Sequence, residues 1–318
     1  MIELVIGVDV GGTNTVFGFV DRDGNIYAKG SIPTQKHSDP HYFLAELHDA
    51  IQSAASTISV GYSLHGIGFG APNGNYYNGN VEFAPNLPWK GNVNLVQIFK
   101  QYYDLPIFLT NDANAAAIGE MVYGGAKDMK HFIMITLGTG LGSGIVVDGK
   151  MVYGHDGNAG EIGHTTVYPD GRQCNCGRIG CLETYVSAPG VVRTASEVMA
   201  RSNVPSVLRE IPYKDLTSKK IHEAALTGDA VAMEVFELTG KVLGMKLADT
   251  VAYTRPEAFF LFGGLAQSGD LLLIPTKKYM EHYMLHVYKG KVKIRISDLD
   301  AGNAAILGAS ALVWDEMK

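Results

Sequence analysis

One pattern occurs twice in this chain and restricts the folds open to it. Ile6-Gly7-Val8-Asp9-Val10-Gly11-Gly12-Thr13 and Ile133-Met134-Ile135-Thr136-Leu137-Gly138-Thr139-Gly140 each run as an apolar strand into a Gly/Thr turn. Each then resumes as an apolar strand ending in Val-Asp, at Val20-Asp21 and at Val147-Asp148. The offset between the copies is constant along their length, which is the mark of a duplicated unit. A single Gly-rich turn between strands is ordinarily only a hairpin, because glycine supplies the positive φ such turns need. Two facing turns are different: they present backbone N–H groups and threonine hydroxyls to a polyphosphate from both sides. Asp9, just before the first turn, is placed to hold a hydrated Mg²⁺.

The common nucleotide signatures are missing. There is no G-x-x-x-x-G-K-S/T, and Ser143 stands where a G-x-G-x-x-G beginning at Gly138 needs glycine. Both turns also lead into strands rather than helices, which disfavours a P-loop or Rossmann site.

At 318 residues and 46% hydrophobic content the chain can bury two ordinary cores. A formal net charge of −6 argues against a large nucleic-acid surface. The densest basic stretches, Lys277-Lys278 and Lys289 to Arg295, alternate with apolar residues and read as solvated strand or helix faces. Met1-Ile2-Glu3-Leu4 enters the first strand at once, and no apolar run reaches membrane-spanning length, so a cytoplasmic protein is expected.

Strands are predicted at 3–10, 15–21, 26–31, 64–70 and 106–110, with helices near 40–59 and 94–102. Helix resumes near 113–124, and a second strand set covers 131–137, 144–148 and 151–153. The stretch 154–183 is Gly-rich and polar and reads as irregular. Helices at 186–202, 217–227, 229–253 and 269–284 come next, with one strand at 258–262 and a final Ala/Gly/Leu-rich helix from Asn303 to Trp314. The expected arrangement is α/β in two domains, with a boundary near 112–120. A small domain spans 1–115, completed by the C-terminal helix 303–318, and a larger one spans 116–302.

All three cysteines, Cys174, Cys176 and Cys181, lie within one short loop. An odd count speaks against a disulfide framework. Zinc takes four N/S ligands, so three thiolates need one imidazole, and His164 lies ten residues upstream across a Gly-rich loop. His155 is the more distant rival. Three unrelated core cysteines would not crowd into one apolar-poor loop, so a zinc site is expected; with four protein ligands it has no open position and is structural.

Asn111-Asp112 sits where a strand ends and a helix begins, which is where α/β sheets place ligands. Capping alone would explain both residues. Glu161 and His164 in Gly160-Glu161-Ile162-Gly163-His164, and Glu183 after Cys181-Leu182, share the loop that the proposed metal would organise. Three carboxylates, one histidine and Asn111 suit a ligand with many hydroxyls. Together with the paired turns they suit phosphoryl transfer to an alcohol, with a carboxylate accepting the hydroxyl proton.

Ile6 to Asp21, Asn111-Asp112, Glu161-x-Gly163-His164, Cys174-x-Cys176-Gly177-x-x-Gly180-Cys181-x-Glu183 and Phe262-Gly263-Gly264 resemble the ROK family of sugar kinases and repressors over nearly the whole chain. The resemblance implies a two-domain actin/hexokinase-like fold, a duplicated ribonuclease H-like architecture with an interdomain cleft. It implies Asp112 as the base for a sugar 6-hydroxyl, with Asn111, Glu161, His164 and Glu183 holding other hydroxyls and His164 also ligating zinc. It implies Asp9, Gly11, Gly12, Thr13, Gly138, Thr139 and Gly140 at the phosphates of Mg-ATP, and Gly263, Gly264 and Ser268 by the adenosine. Asn73 and Asn86 fall on the loops that resemble the family's sugar-facing loops. Asn14 replaces a lysine that many members carry, and Asn73 replaces a glycine. The activity implied is an ATP:hexose 6-phosphotransferase, first a glucokinase. The alternatives are an N-acetylmannosamine or N-acetylglucosamine kinase, a sugar-responsive regulator without its DNA-binding domain, and an actin-like ATPase, which would not require the Glu161/His164/Glu183 loop. Hexose and ATP are the implied partners, without nucleic acid or membrane, in a dimer or dimer of dimers.

Overall fold

The computed structural model describes residues 1–300 and 302–318. The first half runs β1 (Ile2–Val10), β2 (Asn14–Val20), β3 (Ile26–Pro33), α1 (Pro40–Ala55), β4 (Tyr62–Ala71), β5 (Asn80–Glu82), β6 (Asn92–Asn94), α2 (Leu95–Phe99), β7 (Ile107–Asn111) and α3 (Asp112–Val122). The second runs β8 (Phe132–Leu137), β9 (Leu141–Val147), β10 (Lys150–Met151), α4 (Glu183–Val186), α5 (Ala188–Arg201), α6 (Ser218–Leu226), α7 (Ala230–Thr254), β11 (Ala258–Phe262), α8 (Asp270–Tyr283), β12 (Lys293–Ile296) and α9 (Ala304–Glu316).

The duplication seen in the hairpins extends to whole sheets. The five-stranded orders are β3-β2-β1-β4-β7 and β10-β9-β8-β11-β12, so strand for strand the two sheets share one topology. In each, a hairpin is antiparallel (β1 with β2, β8 with β9), and two further strands join parallel to its first strand. Parallel strands need crossovers, and these supply helices that cover the sheet faces.

β12 is a strand that hydropathy alone did not separate from a solvated face. It is the four-residue edge of its sheet, and its Lys/Ile/Arg/Ile alternation matches a charged edge. The helix expected at 186–202 is α5, and the short α4 precedes it. Ser187 is extended and its side chain caps α5 by accepting from Gly190 N, which separates α4 from α5. The stretch 154–183 is irregular apart from a short 3₁₀ turn at Ile162–His164 and isolated bridges.

Two large cores lie on the two sheets, one around Leu4, Phe43 and Phe69 and the other around Ile135, Phe236 and Phe259. α9 lies on the first sheet, so close that a Cβ at Gly68 would stand 2.0 Å from the Ala309 carbonyl oxygen. Trp314 at its end donates from Nε1 to the Asp21 carbonyl at 3.1 Å. Among the described residues no helix is long and apolar enough to cross a membrane.

Candidate active site

The carboxyl ends of β1, β4 and β7 and those of β8 and β11 open on one cleft of about 460 Å³, the usual place for ligands in such sheets. Asp9, Asn73, Asn86, Asn111, Asp112, Gly138, Thr139, Gly140, Glu161, Glu183 and Gly263 line it. Gly11, Gly12, Thr13, Gly264, Ser268 and His164 do not. Ser268 is buried within a 3₁₀ turn.

β7 passes into α3 without a loop. Asn111 is the N-cap, its side-chain oxygen accepting from Ala113 N at 2.8 Å, and this stands Asp112 at the first turn, facing the cleft. A Cβ at Gly70 would lie 3.5 Å from Asp9 Oδ1 and 3.9 Å from Asp112 Cα, so the two acidic residues flank one point. Enclosure by the cleft walls raises the Asp112 carboxyl above the usual range, against the pull of the Ala113 N–H. Asp9 is pushed up to about 7, first by burial and then by the Asp112 charge. Two carboxyls so placed resist ionising together, and a cation between them would relieve both.

Ser143 explains its own departure from a glycine motif. Its hydroxyl donates to the Gly160 carbonyl and accepts from Ile162 N at 3.2 Å, fastening the Glu161 loop to β9. The loop lies so near the strand that a Cβ at Gly163 would stand 2.2 Å from the Leu141 carbonyl oxygen. Glu161 is thereby held at the cleft. Its carboxyl is raised by burial first, and by Asp112 and Glu183, against the lowering influence of His164.

His164 turns two ways. Nε2 lies 4.0 Å from Glu161 Oε2, and Nδ1 lies 3.7 Å from Cys174 Sγ. The ligand atoms of His164, Cys174, Cys176 and Cys181 lie within 4.8 Å of one another. Cys176 and Cys181 Sγ are 3.7 Å apart, close to the edge of a tetrahedron with arms of about 2.3 Å. Burial pushes the Cys181 thiol up to about 12, so a cation is what would let that thiol ionise. The donor set fits a closed tetrahedral metal site. His155 lies outside it, its side chain 94% exposed. Glu183 joins this cluster to the second turn: Oε2 accepts from Leu141 N at 2.9 Å while Oε1 lies 3.8 Å from Cys174 Sγ.

Three features escaped the sequence reading. Gln35 donates from Nε2 to both the Gly12 carbonyl and, at 2.9 Å, the Asn86 carbonyl, tying the first turn to the 84–89 loop. Nothing in its surroundings signals this. Arg172 pairs with Glu197 through Nε and Nη2, donates to the Thr184 and Gly190 carbonyls, and stacks on Tyr185 at 4.3 Å, clamping the cysteine loop to α5. An arginine just before the first cysteine was the available signal. Finally, a depression of about 440 Å³ adjoins the cleft at Thr139, lined by Pro189, Val192, Arg193, Tyr213 and Leu216. Only the fold assembles it. Asn73, at φ +52°, spends its side-chain amide on the Glu82 carbonyl at 2.9 Å, a left-handed position that asparagine tolerates.

A family model described as the ROK family matches residues 5–316. A glucokinase of Halalkalibacterium halodurans is 37% identical over 312 residues, covering 97% of this chain and 94% of that protein. A glucokinase of Streptomyces coelicolor is 36% identical over 314 residues, covering 97% of each. The crystal structure of a ROK family glucokinase from Streptomyces griseus, in complex with glucose and AMPPNP, matches with a TM-score of 0.80 at 34% identity, over 98% of this chain and 99% of that one.

Proposed function

The chain belongs to the ROK family, and from that premise we propose that it is an ATP-dependent glucokinase that phosphorylates the 6-hydroxyl of glucose. The observation that carries this reading is the shared cleft: a Gly/Thr turn, a cation-ready carboxyl at Asp9 and a hydroxyl-binding set at Asn111, Asp112 and Glu161 line one cavity.

In this reading Asp112 accepts the proton of the 6-hydroxyl as that oxygen attacks the γ-phosphorus. The new O–P bond forms as the bond to the β-phosphate oxygen breaks, and ADP leaves. The raised position of the Asp112 carboxyl makes it a better proton acceptor once ionised. Asn111, Glu161, His164 and Glu183 hold the remaining hydroxyls, with Asn73 and Asn86 closing the first-half side. Asp9 holds hydrated Mg²⁺, which offsets charge on the phosphates. Gly138, Thr139 and Gly140 contact the phosphates from the second half, and Gly11, Gly12 and Thr13 approach them as the halves close. The adenosine end lies by Gly263, with Gly264 and Ser268 behind it, or along the wall at Pro189 and Tyr213. His164, Cys174, Cys176 and Cys181 hold a structural zinc that stiffens the loop bearing Glu161 and Glu183. The segments 1–115 with 303–318, and 116–302, act as the two closing domains. A cytoplasmic homo-oligomer, dimer or dimer of dimers, completes the reading, and light scattering tests the assembly.

The decisive measurement is ADP release over glucose, mannose, fructose, N-acetylglucosamine and N-acetylmannosamine. Glucose should give the highest kcat/KM, and preference for an N-acetylhexosamine would transfer the assignment to that class.

A further inference from the structure

Two loops of the first half meet beside the cleft. One is the first Gly/Thr turn, residues 11–13, and the other is the 84–89 loop, whose Asn86 lines the cleft. They are in contact, since a Cβ at Gly12 would stand 3.3 Å from Asn86 Cβ. Yet among the described residues no hydrogen bond joins them directly. The link runs through a third segment, residues 34–37, which leaves β3 as a 3₁₀ turn.

That segment holds each loop twice. Thr34 N donates to the Thr13 carbonyl at 2.9 Å, and Gln35 Nε2 donates to the Gly12 carbonyl. Gln35 Nε2 also donates to the Asn86 carbonyl at 2.9 Å, and the His37 carbonyl accepts from Trp89 Nε1 at 3.2 Å. The segment is itself anchored. Thr34 is fully buried with its hydroxyl 2.8 Å from that of Thr15, and Glu46 on α1 pairs with both Lys36 and His37. On the loop side, Trp89 packs in the core with its ring 4.7 Å from that of Phe43. Among the described residues Gln35 is the one side chain that hydrogen-bonds both loops. A primary amide carries two N–H donors on one nitrogen, one for each carbonyl, and a carboxylate carries none.

We propose that Gln35 is a positioning residue that couples the hexose and nucleotide sites. The proposal rests on the glucokinase reading, in which Asn86 closes on the sugar and residues 11–13 approach the phosphates. A hexose that orders the 84–89 loop fixes the Asn86 carbonyl, and the shared amide then fixes the Gly12 carbonyl before the nucleotide arrives. By linkage the effect is reciprocal, so nucleotide tightens hexose binding by the same factor.

The test is a binding cycle by calorimetry: glucose affinity without and with saturating Mg-AMPPNP, and Mg-AMPPNP affinity without and with glucose. In the wild type each ligand should tighten the other by one common factor of about tenfold. Two variants of this exposed side chain are compared: Gln35→Met, of similar length and without donors, and Gln35→Glu, which sets acceptors against both carbonyls. Both should reduce the factor to about threefold or less, while the affinity for each ligand alone stays within about threefold of wild type. In turnover, the KM for glucose should rise about threefold or more at saturating Mg-ATP and stay unchanged at Mg-ATP far below its own KM. A general structural defect would raise both alike. A wild-type factor near one, or variants that keep the wild-type factor, would overturn the coupling proposal alone. No ADP release with glucose would overturn the kinase reading and the coupling with it.

Discussion

The two Gly/Thr turns occupy equivalent places in sheets of one topology, yet they are held by different means. The first is braced from its own half: Gln35 donates to the Gly12 carbonyl, Thr34 N donates to the Thr13 carbonyl at 2.9 Å, and the Thr15 and Thr34 hydroxyls meet at 2.8 Å in the core. The second is braced by residues well downstream in the chain: Glu183 accepts from Leu141 N, and Ala188 N donates to the Gly138 carbonyl at 2.8 Å. Where the first strand carries Asp9, the second carries Thr136, whose hydroxyl accepts from Gly142 N at 3.2 Å. The ladder was kept after duplication and the accessories diverged. One turn acquired a carboxylate, and the other was tied to the cysteine loop.

Asp112 lines the cleft with Asp9 and the second turn and sets the scale for any attempt to break this asymmetry. Asp112→Asn should lower turnover about 10²–10⁴-fold while glucose affinity by calorimetry stays within about threefold; near-normal turnover would remove it as the base. Asp9→Asn should cost about 10²-fold in turnover and weaken the Mg²⁺ dependence, whereas Thr136→Val at the equivalent position should cost roughly tenfold or less. Equal losses would mean that the halves are functionally alike. Cys176→Ser should lose bound metal by elemental analysis and lower the melting temperature by about 5–10 °C, and should raise KM for ATP through the second turn. A wild-type preparation without metal would break that link.

The smallest effect is in pH. Asp9 sits near 7 through burial and then the Asp112 charge. Such an acid binds more protons folded than unfolded, so the ligand-free fold loses stability as pH rises from the ordinary carboxylate range to about 7, and the loss levels off above it. Mg-ATP binding needs the ionised form and should strengthen a few-fold between about pH 6.5 and pH 8. Asp9→Asn should flatten both curves in thermal melts and nucleotide titrations, and Thr136→Val should flatten neither.

Sequence alone exposed the local features. The paired hairpins, the β7–α3 junction with Asn111 as cap, β11 and the ligand spacing of the cysteine loop are all set by neighbours in the chain. β12 was hidden because a charged edge strand alternates like a solvated face. Gln35 was hidden because its partners are backbone carbonyls, which carry no residue signature, and Arg172 because Glu197 and the carbonyls it meets are brought to it only by the packing of α5 on the cysteine loop.

α9 has a consequence for how the protein is made. It fills a face of the first sheet, yet it comes after the whole second half in the chain. On the ribosome the five strands of the first sheet therefore emerge with one apolar face uncovered, and they keep it until nearly all the remaining residues have been synthesised. The second half can close its own sheet and helices first. The N-terminal half is thus the last to mature, and it has the longer exposure to chaperones and to misassembly.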